Sequence, residues 1–238
     1  MDNYAPIPNI ALPDADNVRI VSNNEPLVCI SDKFHDLMAF QPKYFERGVP
    51  GATRHMYVRK TVSEMLWKAA HALPAGFQLK IYDAWRPARV QKALFDEYYS
   101  ALCQAQKGSV MDAQKLREQA LLFVSYPSDD PDTPFVHSTG GAVDLTIVDA
   151  SGKELNMGTA FDSFSDAAHT AYFENSSNHE VRDNRRLLYH TMLSVGFTNY
   201  PAEWWHYDFG DRFWAAMRKE TSFYKGIYHD PADFNAPE

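Results

Sequence analysis

The sequence predicts a single domain of α/β or α+β type, on three observations. First, 238 residues, of which 45% are hydrophobic and 23% charged, are enough to bury a full core and have an ordinary globular composition. Second, apolar residues at Val62, Met65, Leu66, Ala69, Ala70 and Leu73 follow a helical repeat, and Phe77-Gln78-Leu79-Lys80-Ile81-Tyr82-Asp83 then alternates. The period thus switches from that of an amphipathic helix to that of a half-buried strand. Third, no internal repeat, low-complexity run or shift in composition marks a boundary. The expected unit is therefore residues 1–238, with 1–50 an irregular N-terminal arm and loop.

The elements follow in order. Residues 1 to 26 are rich in Pro, Asn and Asp, as suits an irregular surface arm, and Leu27-Val28-Cys29-Ile30 reads as a short buried strand. Residues 31 to 52 carry Pro42, Gly48, Pro50 and Gly51 and read as loop, with a turn of helix within Asp32 to Phe40. The amphipathic helix runs from Thr53 to Leu73 and stops at Pro74-Ala75-Gly76. The strand after it leads through Ala84-Trp85-Arg86-Pro87 into helices from Ala88 to about Ala105 and from about Asp112 to Val124. Pro127, Pro131 and Pro134 make a loop that delivers the chain to His137. Asp144 to Asp149 is a strand turned by Ala150-Ser151-Gly152-Lys153, and residues 156 to 182 are a long loop with a short helix. Asp183 to Val195 is a helix stopped by Gly196, and Phe197 to Tyr200 a short strand. From Tyr207 the chain is aromatic and is expected to pack over the site.

Charge and composition exclude several classes. A net charge of −8 with no Lys/Arg-rich run argues against a sequence-independent nucleic-acid binder, which needs a basic face. The opening residues lack a positive segment followed by an apolar run, and no stretch approaches a membrane span, so a cytoplasmic protein is expected unless a signal peptide has been removed. Cys29 and Cys103 lie far apart with no Cys-x-x-Cys pairing, and read as two reduced thiols, neither disulfide framework nor thiolate zinc site. No phosphate loop or Gly-x-Ser-x-Gly elbow is present, which argues against nucleotide chemistry and covalent serine catalysis.

What remains is metal chemistry. Val136-His137-Ser138-Thr139-Gly140-Gly141-Ala142-Val143-Asp144 and Pro201-Ala202-Glu203-Trp204-Trp205-His206 together offer two imidazoles, one carboxylate ligand and one spare carboxylate. His137, Asp144 and His206 match a hydrolytic zinc site with a fourth position open to water, one zinc per chain. Seven residues is odd, so in one regular strand His137 and Asp144 would face apart; Gly140-Gly141 permits the bend that lets them converge. Glu203, three residues before His206, shares its face and is placed to act as general base. Arg86 leaves a strand on a turn stiffened by Trp85 and Pro87; it is either an ordinary ion-pair partner of Asp83 or a fixed guanidinium for a developing oxyanion. Trp204 and Trp205 are expected in the core. His35, His55, His71, His169, His179, His190 and His229 have no ligand-like neighbours at useful spacing and read as structural or solvated.

His137-x6-Asp144 with Glu203-x-x-His206, preceded by Tyr82-x-x-Trp85-Arg86-Pro87, resembles the D-alanyl-D-alanine dipeptidases of the VanX type, over about residues 50 to 215. The resemblance implies an α+β fold, with a central antiparallel sheet flanked by helices, shared with zinc D,D-carboxypeptidases and the hedgehog signalling domain. It implies His137, Asp144 and His206 as zinc ligands, Glu203 as catalytic base and Arg86 as transition-state stabiliser. It further implies that Asp162, in Gly158-Thr159-Ala160-Phe161-Asp162, holds the free amino group of a small dipeptide substrate, D-Ala-D-Ala. Family members often carry Ser two residues before the first His. Here Phe135 stands there, so a ring replaces a hydroxyl able to contact substrate, while the zinc ligands are unchanged. The rivals are a zinc D,D- or L,D-carboxypeptidase acting on longer wall peptides through a more open cleft, a zinc-stabilised binding module on the same fold, and an Fe(II) oxygenase. The last usually places its carboxylate two residues after the first His, where this chain has Thr139.

Overall fold

The computed structural model describes residues 4–34, 36–105, 112–121, 124–128 and 130–228. The readings of His35 and His229, the first three residues of the arm and positions 122 and 123 of an expected helix lie outside the described residues. In chain order the elements are β1 (Leu27–Cys29), β2 (Ala39–Phe40), α1 (Lys43–Glu46), β3 (Tyr57–Arg59), α2 (Lys60–Ala72), β4 (Gln78–Asp83), α3 (Ala88–Ala105) and α4 (Ala113–Leu121). They continue with β5 (Ala142–Val148), α5 (His179–Ser194), β6 (Thr198–Asn199), β7 (His206–Asp208) and α6 (Arg212–Arg218). Among the described residues no helix is long and apolar enough to cross a membrane.

Five strands form the central sheet in the order β2-β4-β5-β7-β6, antiparallel except for the two-residue edge pairing of β2 with β4. The expected α+β architecture is therefore present, with β1 and β3 paired beside it as a separate antiparallel ribbon. All seven residues of β5 are buried, as suits the middle strand of a sheet covered on both faces. Alternation along β5 sends Val143, Leu145 and Ile147 into the main core, with Val62, Leu66 and Ala69 of α2 and Leu188 and Met192 of α5. Asp144 is thereby turned to the opposite face, where the cleft lies. That single alternation separates the hydrophobic layer from the chemistry.

Several elements differ from the sequence expectation: within residues 1–50, read as irregular arm and loop, β2 joins the sheet edge and α1 forms a short helix after Pro42, and β7 is a strand that was not expected. The helix expected from Thr53 starts at Lys60, because Tyr57, Val58 and Arg59 pair with β1 instead, with Cys29 opposite Tyr57. α5 starts at His179, four positions before the expected Asp183, since the side chain of Asn178 accepts from the Val181 amide and caps the helix. α6 was hidden by its aromatic composition; Asp211 caps it by accepting from the Trp214 amide at 3.0 Å. The N-terminal arm is irregular as expected and is tied to the far end of the chain through Val21 N to Ser222 O (2.8 Å) and Asn23 N to Phe223 O (3.2 Å).

Candidate metal centre and active site

Three neighbouring strands carry the centre in one transverse row. Asp144 of β5 lies opposite Asp83 of β4 on one side and opposite His206 of β7 on the other. Directly opposed residues have side chains on one face, so sheet register alone brings Asp144 and His206 together. The third member arrives differently. His137 sits in a 3-10 turn, Val136–Thr139, which ends on Gly140 with φ of 72°. The seven-residue odd spacing is thus resolved outside any strand. Gly140 supplies the left-handed bend, whereas Gly141 keeps φ outside that region and is needed because a Cβ there would collide with the Phe209 carbonyl.

His137 Nε2, His206 Nδ1 and Asp144 converge. The two nitrogens are 3.2 Å apart, His206 Nδ1 is 3.0 Å from Asp144 Oδ1 and His137 Nε2 is 3.3 Å from Asp144 Oδ2. The outward nitrogens are both occupied: His137 Nδ1 lies 2.8 Å from the Ala84 carbonyl and His206 Nε2 lies 2.8 Å from Asp208 Oδ1. His137 Nδ1 therefore donates to the carbonyl, and with a metal bound each ring would keep its outward proton and turn its inward nitrogen to the ion. Two inward imidazole nitrogens and a carboxylate face one another in a buried space, an arrangement that suits a shared cation and reproduces the outer hydrogen bonds of metal-bound histidines. Burial alone would raise the pKa of Asp144, but the imidazoles beside it hold the group below the ordinary carboxylate range, so it stays ionised as a ligand must. The residues present fit a tetrahedral zinc site with three protein ligands.

The other expected residues line the same cleft, of about 730 Å³, together with the triad. Glu203 is set by two consecutive turns, Glu203 N to Tyr200 O and His206 N to Glu203 O, and its Oε2 stands 3.8 Å from His206 Nδ1. Burial pushes its pKa up to about 8, partly opposed by His206. Trp204 and Trp205 are core residues as expected, and Trp204 Nε1 donates to Thr159 Oγ1 at 2.8 Å, locking the Glu203 turn to the segment that ends in Asp162.

Arg86 makes the ion pair with Asp83 and also reaches the site. Nε donates to Asp83 Oδ2 (2.8 Å), Nη1 to Gln91 Oε1 (2.7 Å), and Nη2 lies 3.3 Å from Tyr44 Oη and 3.4 Å from Asp144 Oδ2. Its amide donates to the His137 carbonyl at 3.1 Å. Asp162 has φ of 59°, a left-handed conformation that non-glycine residues adopt chiefly where function or packing demands it. Its Oδ1 accepts from Tyr44 Oη at 3.2 Å and its Oδ2 lies 3.7 Å from Arg47 Nη1. Burial, then the charge of Asp144, pushes its pKa up to about 7. Phe135 is buried at the cleft wall near His137.

A family model described as Peptidase_M15, D-ala-D-ala dipeptidase, matches residues 44–225. The chain belongs to this family. Among curated members it is 29% identical over 153 residues to the D-alanyl-D-alanine dipeptidase of Synechocystis sp., covering 58% of this chain and 62% of that one. It is 31% identical over 134 residues to the D-alanyl-D-alanine dipeptidase of Escherichia coli K12, covering 56% of each. The matched part thus spans less than two thirds of these relatives. A solved structure of the vancomycin resistance D,D-pentapeptidase VanY in complex with Zn(II) aligns with a TM-score of 0.42 at 17% identity, covering 86% of this chain and 93% of that one.

Within this M15 chain, sequence reasoning missed four residues that contact the site. Asp208 orients His206, and its signal was legible, since residues two apart on a strand share a face. Asp83 was considered only as a partner of Arg86, yet its Oδ2 also lies 3.4 Å from His137 Nδ1. Tyr44, which links Asp162 to Arg86, lies in the short helix α1 and Gln91 in α3, where spacing gave no hint.

Proposed function

We propose that the protein is a zinc-dependent dipeptidase that hydrolyses D-Ala-D-Ala to two D-alanines, with His137, Asp144 and His206 holding one zinc ion. The observation that carries this reading is the inward convergence of those three side chains in a cleft that Glu203, Arg86 and Asp162 also line. When bound, zinc supplies Lewis-acid activation of water and of the scissile carbonyl. Glu203 takes the proton of the attacking water and passes it to the leaving amine. Arg86 presents a guanidinium whose every nitrogen is already held, so it meets developing negative charge on the carbonyl oxygen without reorganising. Asp162 pairs with the substrate's free ammonium, which restricts turnover to an unblocked N-terminus. Family membership supports the substrate class.

A second reading is hydrolysis of longer wall peptides. The cleft of about 730 Å³ runs past the triad to Leu94, Tyr98, Leu121 and Phe164, and is larger than two alanines fill. One experiment separates the two. Zinc-loaded protein is assayed for release of free alanine, D or L as the substrate requires, from D-Ala-D-Ala, N-acetyl-D-Ala-D-Ala, L-Ala-L-Ala and a D-Ala-D-Ala-terminated pentapeptide. Turnover confined to the free D,D-dipeptide and abolished by a chelator supports the dipeptidase. Efficient release from the acylated dipeptide or pentapeptide transfers the assignment to a carboxypeptidase, and no release from any substrate by the zinc-loaded protein refutes both.

A further inference from the structure

A second convergence of metal-ligand side chains lies outside the cleft, and the separate positions of its members in the sequence concealed it. One ligand atom each from Cys29, Asp32 and His55 lie within 4.8 Å of one another. Register assembles them. Cys29 is opposite Tyr57 in the β1–β3 ribbon, so continuing the ladder sets Ser31 opposite His55 and puts Cys29 and His55 on one face. Asp32 arrives on the turn after β1, where the amides of Lys33 and Phe34 both bond to the Ile30 carbonyl. Ile30 N to Met56 O (2.9 Å) and Met56 N to Ser31 Oγ (3.2 Å) hold the two segments together.

We propose that Cys29, Asp32 and His55 form a second cation site, selective for a thiophilic divalent ion such as Zn²⁺ or Cd²⁺, distinct from the His137 triad and independent of the function proposed for it. A thiolate, an imidazole and a carboxylate are a donor set for zinc-group ions and a poor one for Mg²⁺ or Ca²⁺. Zinc bond lengths place tetrahedral ligand atoms about 3.3–3.8 Å apart. His55 Nδ1 and Asp32 Oδ1 are already 3.1 Å apart, and Cys29 Sγ, 3.3 Å from Ser31 Oγ, is close enough to complete the set by side-chain rotation. All three side chains are partly or fully solvent-accessible, so an ion has a path of entry.

The proton balance is simple. Without the ion, Arg54 Nε donates to His55 Nε2 (3.1 Å), which leaves Nδ1–H to donate to Asp32. Binding at Nδ1 moves that proton to Nε2, displaces the exposed Arg54 side chain and releases the thiol proton of Cys29 to solvent. The ion would staple β1 to β3, whose Tyr57 carbonyl accepts from Trp85 N at 2.8 Å in the turn that carries Arg86.

The test is a Cd²⁺ titration of the full chain, following the ultraviolet thiolate-to-cadmium charge-transfer band, with bound metal measured after equilibrium dialysis. Cys29 and Cys103 are the two cysteines of the chain and neither belongs to the triad, so the band reports only ligation away from the cleft. The expected result is a band kept in Cys103→Ser and lost in Cys29→Ser, with bound cadmium falling from about two equivalents to about one in Cys29→Ser and in His55→Gln. Absence of the band in the unmodified chain, or its persistence in Cys29→Ser, overturns the proposal.

Discussion

Replacing Asp208 tests whether the outer hydrogen bonds organise the metal centre. Asp208 Oδ1 stands 2.8 Å from His206 Nε2, and the side chain is 1% exposed. Its carboxylate faces Nε2 and holds the ring with Nδ1 toward Asp144 and His137, the nitrogen that a bound metal would use. In Asp208→Ala the imidazole loses that constraint and a buried N–H loses its acceptor. Loss of an outer partner of this kind lowers metal affinity by about 10–100-fold, or about 1.4–2.7 kcal/mol at about 1.4 kcal/mol per tenfold. Asp208→Asn keeps an acceptor oxygen without the charge and is expected near the lower end. It also relieves Asp211, a buried carboxyl raised well above its ordinary range by burial and then by the charge of Asp208, so apoprotein stability should not fall in parallel with affinity. Competition for zinc with a chromophoric chelator gives the affinities, and chemical denaturation of the metal-free proteins gives the stabilities. An unchanged zinc affinity in Asp208→Ala refutes the reasoning, as does an affinity loss seen only because the apoprotein no longer folds.

Further outcomes follow from other contacts. Glu203→Ala should retain zinc by metal analysis and lose about 10²–10⁴-fold in kcat, the usual contribution of a positioned base; a variant with near-normal turnover would remove Glu203 from the chemistry. Gly140→Ala forces a β-carbon into a left-handed conformation against the Leu27 side chain and should destabilise the chain by about 1–2 kcal/mol in denaturant unfolding. Glu174 accepts from Arg186 Nε at 3.0 Å and from the Ile7 amide at 3.0 Å; burial alone would raise its pKa, but these bonds bring it below the ordinary value. A depressed carboxylate pKa adds stability above the unfolded value, and that stability is lost as pH falls through the folded value, so Tm of the unmodified chain should drop more steeply below about pH 4.5 than Tm of Glu174→Gln. Parallel curves would exclude Glu174 as a source of acid sensitivity.

The parts of the site legible in the sequence are those whose members sit within one short segment. Glu203 and His206 are one turn apart, His137 and Asp144 are joined by two glycines, and Arg86 follows its strand directly, so local geometry sufficed to group them. The α2 and β4 periodicities were equally local. What sequence did not reveal depends on register between distant strands or on competition between local and tertiary preference. Tyr57, Val58 and Arg59 fit the start of a helical pattern but bond to β1, and nothing near Tyr44 foretold its contacts with Asp162 and Arg86. Cys29 and His55 had no metal-ligand spacing because a two-stranded ladder, with no short motif, brings them together.

The row Asp83, Asp144, His206 crosses three strands at one level of the sheet. A slip of one residue between β5 and β7 would turn a ligand to the other face and dismantle the triad, while leaving most backbone hydrogen bonds replaceable. A cation that needs both strands in register therefore binds the native pairing and no shifted one, and stabilises it by an amount that grows with the logarithm of free metal. If the triad holds a metal ion as proposed, metal supply would then act as a proofreader of strand alignment during folding: chains that pair wrongly would gain nothing from the ion, and the population would drain toward the one topology that can hold it.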